Sequence, residues 1–123
     1  MAQILVVEDE PALLDVVKTL LTSNGHTVLT EFDGVAGLEA ARREHPALII
    51  ADQMLPMMTG LDLCHALKAE KLEPPIPFLL MTGGNVPVQD SCPDAILRKP
   101  FSIEELERVT NALLATRAPS FFG

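Results

Sequence analysis

The chain has 123 residues, 17 acidic against 9 basic, and a net charge of −8. That length supports one domain around one core, and an apolar content of 48% excludes a disordered chain. The acidity argues against direct nucleic-acid binding, which relies on clustered Lys and Arg. No apolar run approaches a membrane span and no basic segment leads a signal sequence, so a cytoplasmic protein without membrane contact is expected. Cys64 and Cys92 lie in no CxxC arrangement and read as reduced thiols. His26, His45 and His65 have no metal-ligand spacing and read as surface or helix-end residues.

Ile4-Leu5-Val6-Val7 is an apolar run without polar alternation, the signature of a strand buried on both faces. It ends in Glu8-Asp9-Glu10-Pro11, where proline suits the first helical turn and the acids suit a helix N-terminus. Leu13, Val17, Leu20 and Leu21 recur at helical spacing up to the Asn24-Gly25 stop. Thr27 to Phe32 is a more polar strand, predicted at a sheet edge. Asp33-Gly34 opens a helix with Val35, Leu38 and Ala41 on one face, and His45-Pro46 ends it.

Ala47-Leu48-Ile49-Ile50-Ala51 runs straight into Asp52 and the proline-bounded Gln53-Met54-Leu55-Pro56. Thr59 can cap a helix through Leu61, Cys64 and Leu67. Pro74-Pro75-Ile76-Pro77 leads into a fourth strand, Phe78 to Met81, closed by Thr82-Gly83-Gly84. A fifth strand, Ala95 to Arg98, ends at Lys99-Pro100. Ser102 and Glu105 form a capping box, with Phe101 and Leu106 placed to staple it, and Ile103, Leu106, Val109 and Leu113 make the apolar face. Residues 118–123 show no periodicity and read as a tail or linker start after a domain spanning 1–117.

Strand and helix alternate throughout. The prediction is a single doubly wound α/β domain with a five-stranded parallel sheet in the flavodoxin-like order 2-1-3-4-5. Glu8 and Asp9 then follow strand one, Asp52 strand three, Thr82 strand four and Lys99 strand five, all at the rim where such sheets bind ligands. Two carboxylates about 4 Å apart repel by roughly 1 kcal/mol in water and roughly 4 at an effective dielectric of 20. Three of them need a raised pKa or a cation, and an oxygen-only donor set favours Mg²⁺ or Mn²⁺. Each residue alone has a plainer reading: Glu8 and Asp9 as helix-start acids, Asp52 as a turn residue, Lys99 as a surface lysine. It is the combination that points to chemistry.

Val6-Val7-Glu8-Asp9-Glu10, Asp52-Gln53-Met54-Leu55-Pro56 with Gly60, Met81-Thr82-Gly83 and Lys99-Pro100-Phe101 occur in this order, each at a strand end. In these motifs the chain resembles the receiver domain of two-component response regulators over about residues 3–117. The resemblance implies that Asp52 accepts a phosphoryl group from a sensor histidine kinase or phosphotransfer protein, with a downstream protein reading the result. It implies Mg²⁺ held by Asp9, by Glu8 largely through water, by Asp52 and by the Met54 backbone carbonyl. Lys99 would pair with Asp52, Thr82 would donate to the phosphoryl group, and the Lys99–Pro100 peptide would be cis. It also implies a signalling domain and not a turnover enzyme.

Two features depart from that family. Ile96 stands three positions before Lys99, where receivers usually carry an aromatic ring. The segment from Gly83 to Pro93 is barely long enough for a parallel crossover, so the fourth helix of the family is predicted to be one turn at most, or an irregular loop. Two alternatives stay open: a receiver-like interaction module working without phosphorylation, and an aspartyl-nucleophile phosphatase, for which Glu8-Asp9-Glu10 only loosely echoes the expected DxD.

Overall fold

A strand with no polar alternation must be covered on both faces, and the computed structural model, which describes residues 1–84 and 90–117, shows how. The elements in order are β1 (Gln3–Val7), α1 (Pro11–Ser23), β2 (Thr27–Glu31), α2 (Gly34–Glu44), β3 (Leu48–Asp52), α3 (Gly60–Ala69), β4 (Phe78–Thr82), β5 (Ala95–Arg98) and α4 (Ile103–Arg117). All strand pairs are parallel and the order is β2-β1-β3-β4-β5, as predicted. The more polar β2 is indeed an edge.

Alternate residues of the central strands feed two separate cores. Leu5, Val7, Ile49, Ala51, Phe78 and Leu80 pack under α2 and α3. Ile4, Val6, Leu48, Ile50, Leu79 and Met81 pack under α1 and α4. A one-residue slip would exchange the two sets, and because both are apolar the pattern alone resists it weakly. The groups that break the tie stand at the strand ends, where Asp52 and Thr82 are the last strand residues and Glu8 follows Val7.

Helix starts are secured as their residues suggest. Asp33 accepts from the Ala36 amide at 2.7 Å. Thr59 with Asp62, and Ser102 with Glu105, form reciprocal capping boxes. His45 leaves α2 in the left-handed region (φ 46°) directly before Pro46, and Gly25 (φ 90°) follows the Asn24 cap of α1.

Three helix faces differ from the sequence prediction. α1 is centred on Leu14, Val17 and Leu21, leaving Leu13 and Leu20 half-buried at its flanks. In α2, Gly34 and Gly37 take inward positions against Met58 and Val7, so the neighbouring Val35 turns outward. Ile103 is exposed, at the start of α4 beside Val16 and Leu20 of α1.

Between β4 and β5 the described residues, 83–84 and 90–94, carry no helix, in keeping with a shortened crossover. The expectation for Asn85, Val86, Pro87 and Val88, and that for residues 118–123, lie outside the described residues. Among the described residues no helix is long and apolar enough to cross a membrane.

Candidate functional site at the carboxyl edge of the sheet

Because β1 and β3 are neighbours, their carboxyl ends bring Glu8 and Asp52 together, and β5 delivers Lys99 to the same place. Lys99 Nζ donates to Asp52 Oδ2 at 2.5 Å and lies 4.0 Å from Glu8 Oε1. Asp52 Oδ1 accepts from the Met54 amide at 3.1 Å. Glu8 Oε2 accepts from the Glu10 amide at 3.1 Å, while Oε1, equally buried, has no hydrogen-bond partner. Glu8 is fully enclosed and Asp52 nearly so.

Burial pushes the Glu8 carboxyl up to about 8, and the adjacent Asp52 carboxylate adds to the rise, against the Glu10 N–H and the charge of Lys99. Burial pulls the Lys99 ammonium down, but the hydrogen bond and charge of Asp52, with Glu8 and Glu10 behind it, more than offset that. Its pKa stands above the ordinary lysine value.

The loop after Asp52 is tied on both sides. The Gln53 amide donates to Met81 O at 2.8 Å, its carbonyl accepts from the Gly60 amide at 3.1 Å, and its Oε1 accepts from the Leu61 amide at 2.9 Å. A Cβ on Gly60 would lie 2.5 Å from the Asp52 carbonyl oxygen, so only glycine lets α3 start this close to the end of β3. Nothing in the sequence marked Gln53 beyond its place after Asp52, yet it joins the site to α3.

The structure thus gathers Glu8, Asp52 and Lys99 directly. Thr82 is buried at the end of the neighbouring β4, but its hydroxyl exchanges hydrogen bonds with the Gly84 backbone, at 3.1 and 3.3 Å. The Lys99 amide donates to Thr82 O at 2.8 Å, which joins the two ends. Asp9 is exposed on the turn toward α1. Among the described residues no three acidic, His or Cys side chains converge as a ready metal cage. What the site does offer a hard cation is oxygen chemistry: two adjacent carboxyl groups, one of them with a buried oxygen that accepts no hydrogen bond. A cation that keeps several waters needs few protein ligands, so this donor set fits Mg²⁺ or Mn²⁺.

The Lys99–Pro100 peptide is cis, as the resemblance implies, and so is Glu73–Pro74, which no sequence feature announced. Ile96 is half-buried against the core beneath α2 and α3. Cys64 and Cys92, unremarkable in sequence, are free thiols in contact across 28 residues.

Comparison with known proteins shows which family this chain is similar to. A sequence model of the response regulator receiver domain matches residues 4–111. The chain is 40% identical over 117 residues to the probable transcriptional regulatory protein TcrX of Mycobacterium tuberculosis, covering 90% of this chain and 49% of that protein. It is 38% identical over 116 residues to the response regulator ArlR of Staphylococcus aureus, covering 93% and 53%. The chain therefore spans about half the length of the curated relatives it matches. Among solved structures, the chemotaxis response regulator CheY4 of Vibrio cholerae is similar with a TM-score of 0.83 at 27% identity, over 92% of this chain and 98% of that one. The receiver domain of the sensor histidine kinase PA1611 of Pseudomonas aeruginosa PAO1, with a magnesium ion coordinated in its active site cleft, gives a TM-score of 0.82 at 26% identity, over 93% and 98%. By its sequence and its sheet order, the chain belongs to the response regulator receiver domain family.

Proposed function

We propose that this domain accepts a phosphoryl group on Asp52 from a sensor histidine kinase or phosphotransfer protein in the cytoplasm, and so changes its binding to a downstream protein. The observation that carries the reading is the ion pair of Lys99 Nζ with Asp52 Oδ2, beside Glu8, at the switch point of the sheet. A carboxylate oxygen of Asp52 attacks the phosphorus, the bond to the donor nitrogen breaks, and its electron pair leaves with the donor imidazole, giving an acyl phosphate. Lys99 holds the nucleophile in place and, as the acyl phosphate forms, its ammonium pairs with the phosphoryl oxygens. The Met54 amide stays as a fixed donor on Asp52.

The hydroxyl of Thr82 would reach the added oxygens after leaving Gly84. Mg²⁺ or Mn²⁺, held by Glu8, Asp9, Asp52 and the Met54 carbonyl, would neutralise phosphoryl charge when bound. The magnesium in the PA1611 receiver supports that cofactor. The domain is a signalling acceptor and not a turnover enzyme.

A second reading, an interaction module working without phosphorylation, is favoured by one residue, Ile96, whose short branched side chain cannot act as a rotating ring. Mass spectrometry after incubation with acetyl phosphate and Mg²⁺ separates the two. The expected result is one phosphoryl mass on the wild type, none on Asp52→Ala and none in EDTA. In Lys99→Ala, Mg²⁺ affinity by calorimetry should hold or rise, since a competing cation is gone, while labelling falls. Labelling that persists in Asp52→Ala would overturn the assignment.

A further inference from the structure

We propose that Cys64 and Cys92 are a modification site: a reversible intramolecular disulfide that clamps the segment leading into β5 onto α3. Cys64 sits within α3, fully buried beside Leu63 and Leu67. Cys92 is half-buried against the same core cluster, and the two sulfurs are 2.6 Å apart. Neither takes part in the chemistry at the carboxyl edge.

The placement of Cys92 does not depend on that contact alone. His65 meets Asp90 at 3.0 Å and Lys68 meets Asp94 at 3.4 Å. Asp90, Cys92 and Asp94 thus lie against His65, Cys64 and Lys68 on one side of the helix. The Cys92 amide donates to Asp90 Oδ1 at 3.0 Å. The Asp94 amide donates to Phe78 O at 2.9 Å, and Asp94 Oδ2 accepts from the Phe78 amide at 2.8 Å. The contacts on both sides of Cys92 therefore place it beside Cys64 independently of the sulfur contact.

The two thiols have unequal roles. Only Cys92 has access to solvent, so it meets the oxidant, a small-molecule disulfide. Its thiolate attacks one sulfur of that molecule, and the other sulfur leaves as a thiolate that takes up a proton, giving a mixed disulfide on Cys92. Cys64, held neutral in the resting protein by burial and by the neighbouring Cys92, then loses its proton and attacks the Cys92 sulfur. The second thiol departs with that proton. The two cysteines are oxidised, one disulfide is reduced to two thiols, and excess thiol reverses both steps. The polar contacts that tie this segment to α3, His65–Asp90 and Lys68–Asp94, are exposed and of the kind that contributes little, so the covalent bond would dominate the attachment to the helix.

This site goes beyond the phosphoryl-transfer reading, and its test needs no phosphorylation. The full chain is equilibrated in glutathione buffers from reduced to oxidised, quenched in acid, alkylated under denaturing conditions and weighed. The expected product in oxidised buffer is a monomer with no alkylatable thiol and no bound glutathione, in which peptides containing Cys64 and Cys92 are linked. Cys92→Ser, a change at a half-exposed position, should leave Cys64 reduced. Cys64→Ala should leave Cys92 carrying glutathione. Hydrogen exchange at residues 90–95 should slow by roughly tenfold on oxidation. Two thiols still alkylatable, glutathione on both, or cross-linking only between molecules would overturn the site. A disulfide that leaves exchange at 90–95 unchanged would overturn the clamp.

Discussion

Glu8 is enclosed and faces a second carboxylate across the end of the sheet. Its affinity for a proton is therefore higher folded than unfolded, which fixes a sign. A carboxyl raised from 4.5 to about 8 favours the folded state at low pH, and the benefit drains away as pH climbs through that interval. Each factor of ten in proton affinity is worth about 1.4 kcal/mol, so the loss amounts to a few kcal/mol. His26 works the other way, since burial and the nearby N-terminal charge lower its pKa, so its contribution grows with pH and is complete by about 7. Between pH 7 and 8 Glu8 carries the change, since the buried Cys64 thiol, raised from 9.0, adds its own loss only above that range. In EDTA, the thermal midpoint of the wild type should fall across that range and that of Glu8→Gln should not. A slope that survives in Glu8→Gln would assign the effect elsewhere.

At the scale of elements, α3 is the joint between the site and the crossover. Its first residue touches the Asp52 backbone, Gln53 is bonded to its first turn, and Cys64, His65 and Lys68 hold residues 90–94. Gly60→Ala would push a methyl group into the Asp52 carbonyl and Leu80, at 2.5 and 2.6 Å. Overpacking of this kind costs about 1–3 kcal/mol, and the strain falls on the residue that carries the chemistry. Urea melts should show that loss, whereas Gly84→Ala, where a methyl group meets nothing, should stay within about 0.5 kcal/mol. Equal effects would mean that α3 can shift without consequence. The elements were legible from local signals: the Thr59 and Ser102 caps, the Asn24-Gly25 stop and the apolar runs all stand where the sequence puts them. The lacing of 90–94 onto α3 was not, because Cys64 and Cys92, or Lys68 and Asp94, are distant in sequence and share no periodic pattern.

For the molecule as a whole, the sheet order brings four strand ends, those of β1, β3, β4 and β5, to one edge. That much could be read from Glu8, Asp52, Thr82 and Lys99 following apolar runs. The exposure of Asp9 and the orientation of Thr82 could not, since each depends on how a turn meets its neighbours. Thr82 decides how a change at Asp52 would travel. Its hydroxyl now accepts the Gly84 amide at 3.1 Å, and turning toward new phosphoryl oxygens would leave that amide without its partner. The Gly83-Gly84 turn would have to rearrange, and Arg98, within 3.5 Å of the Gly84 carbonyl, would be disturbed with it. Ile96 has no ring to move into vacated space, and the segment before Asp94 meets α3 through the exposed His65–Asp90 contact and the half-buried Cys92. The change should therefore pass into the crossover and not through β5 to α4. Hydrogen exchange with Mg²⁺ and beryllofluoride, a phosphoryl mimic, should alter protection at residues 83–84 and 90–93 and leave Ile96 and α4 as they were. Protection that changed at Ile96 and α4 alone would place the route along β5 instead. Repeated on the oxidised protein, the same measurement should show a smaller response at 90–93, because a bond between Cys64 and Cys92 would hold the segment that the switch must release.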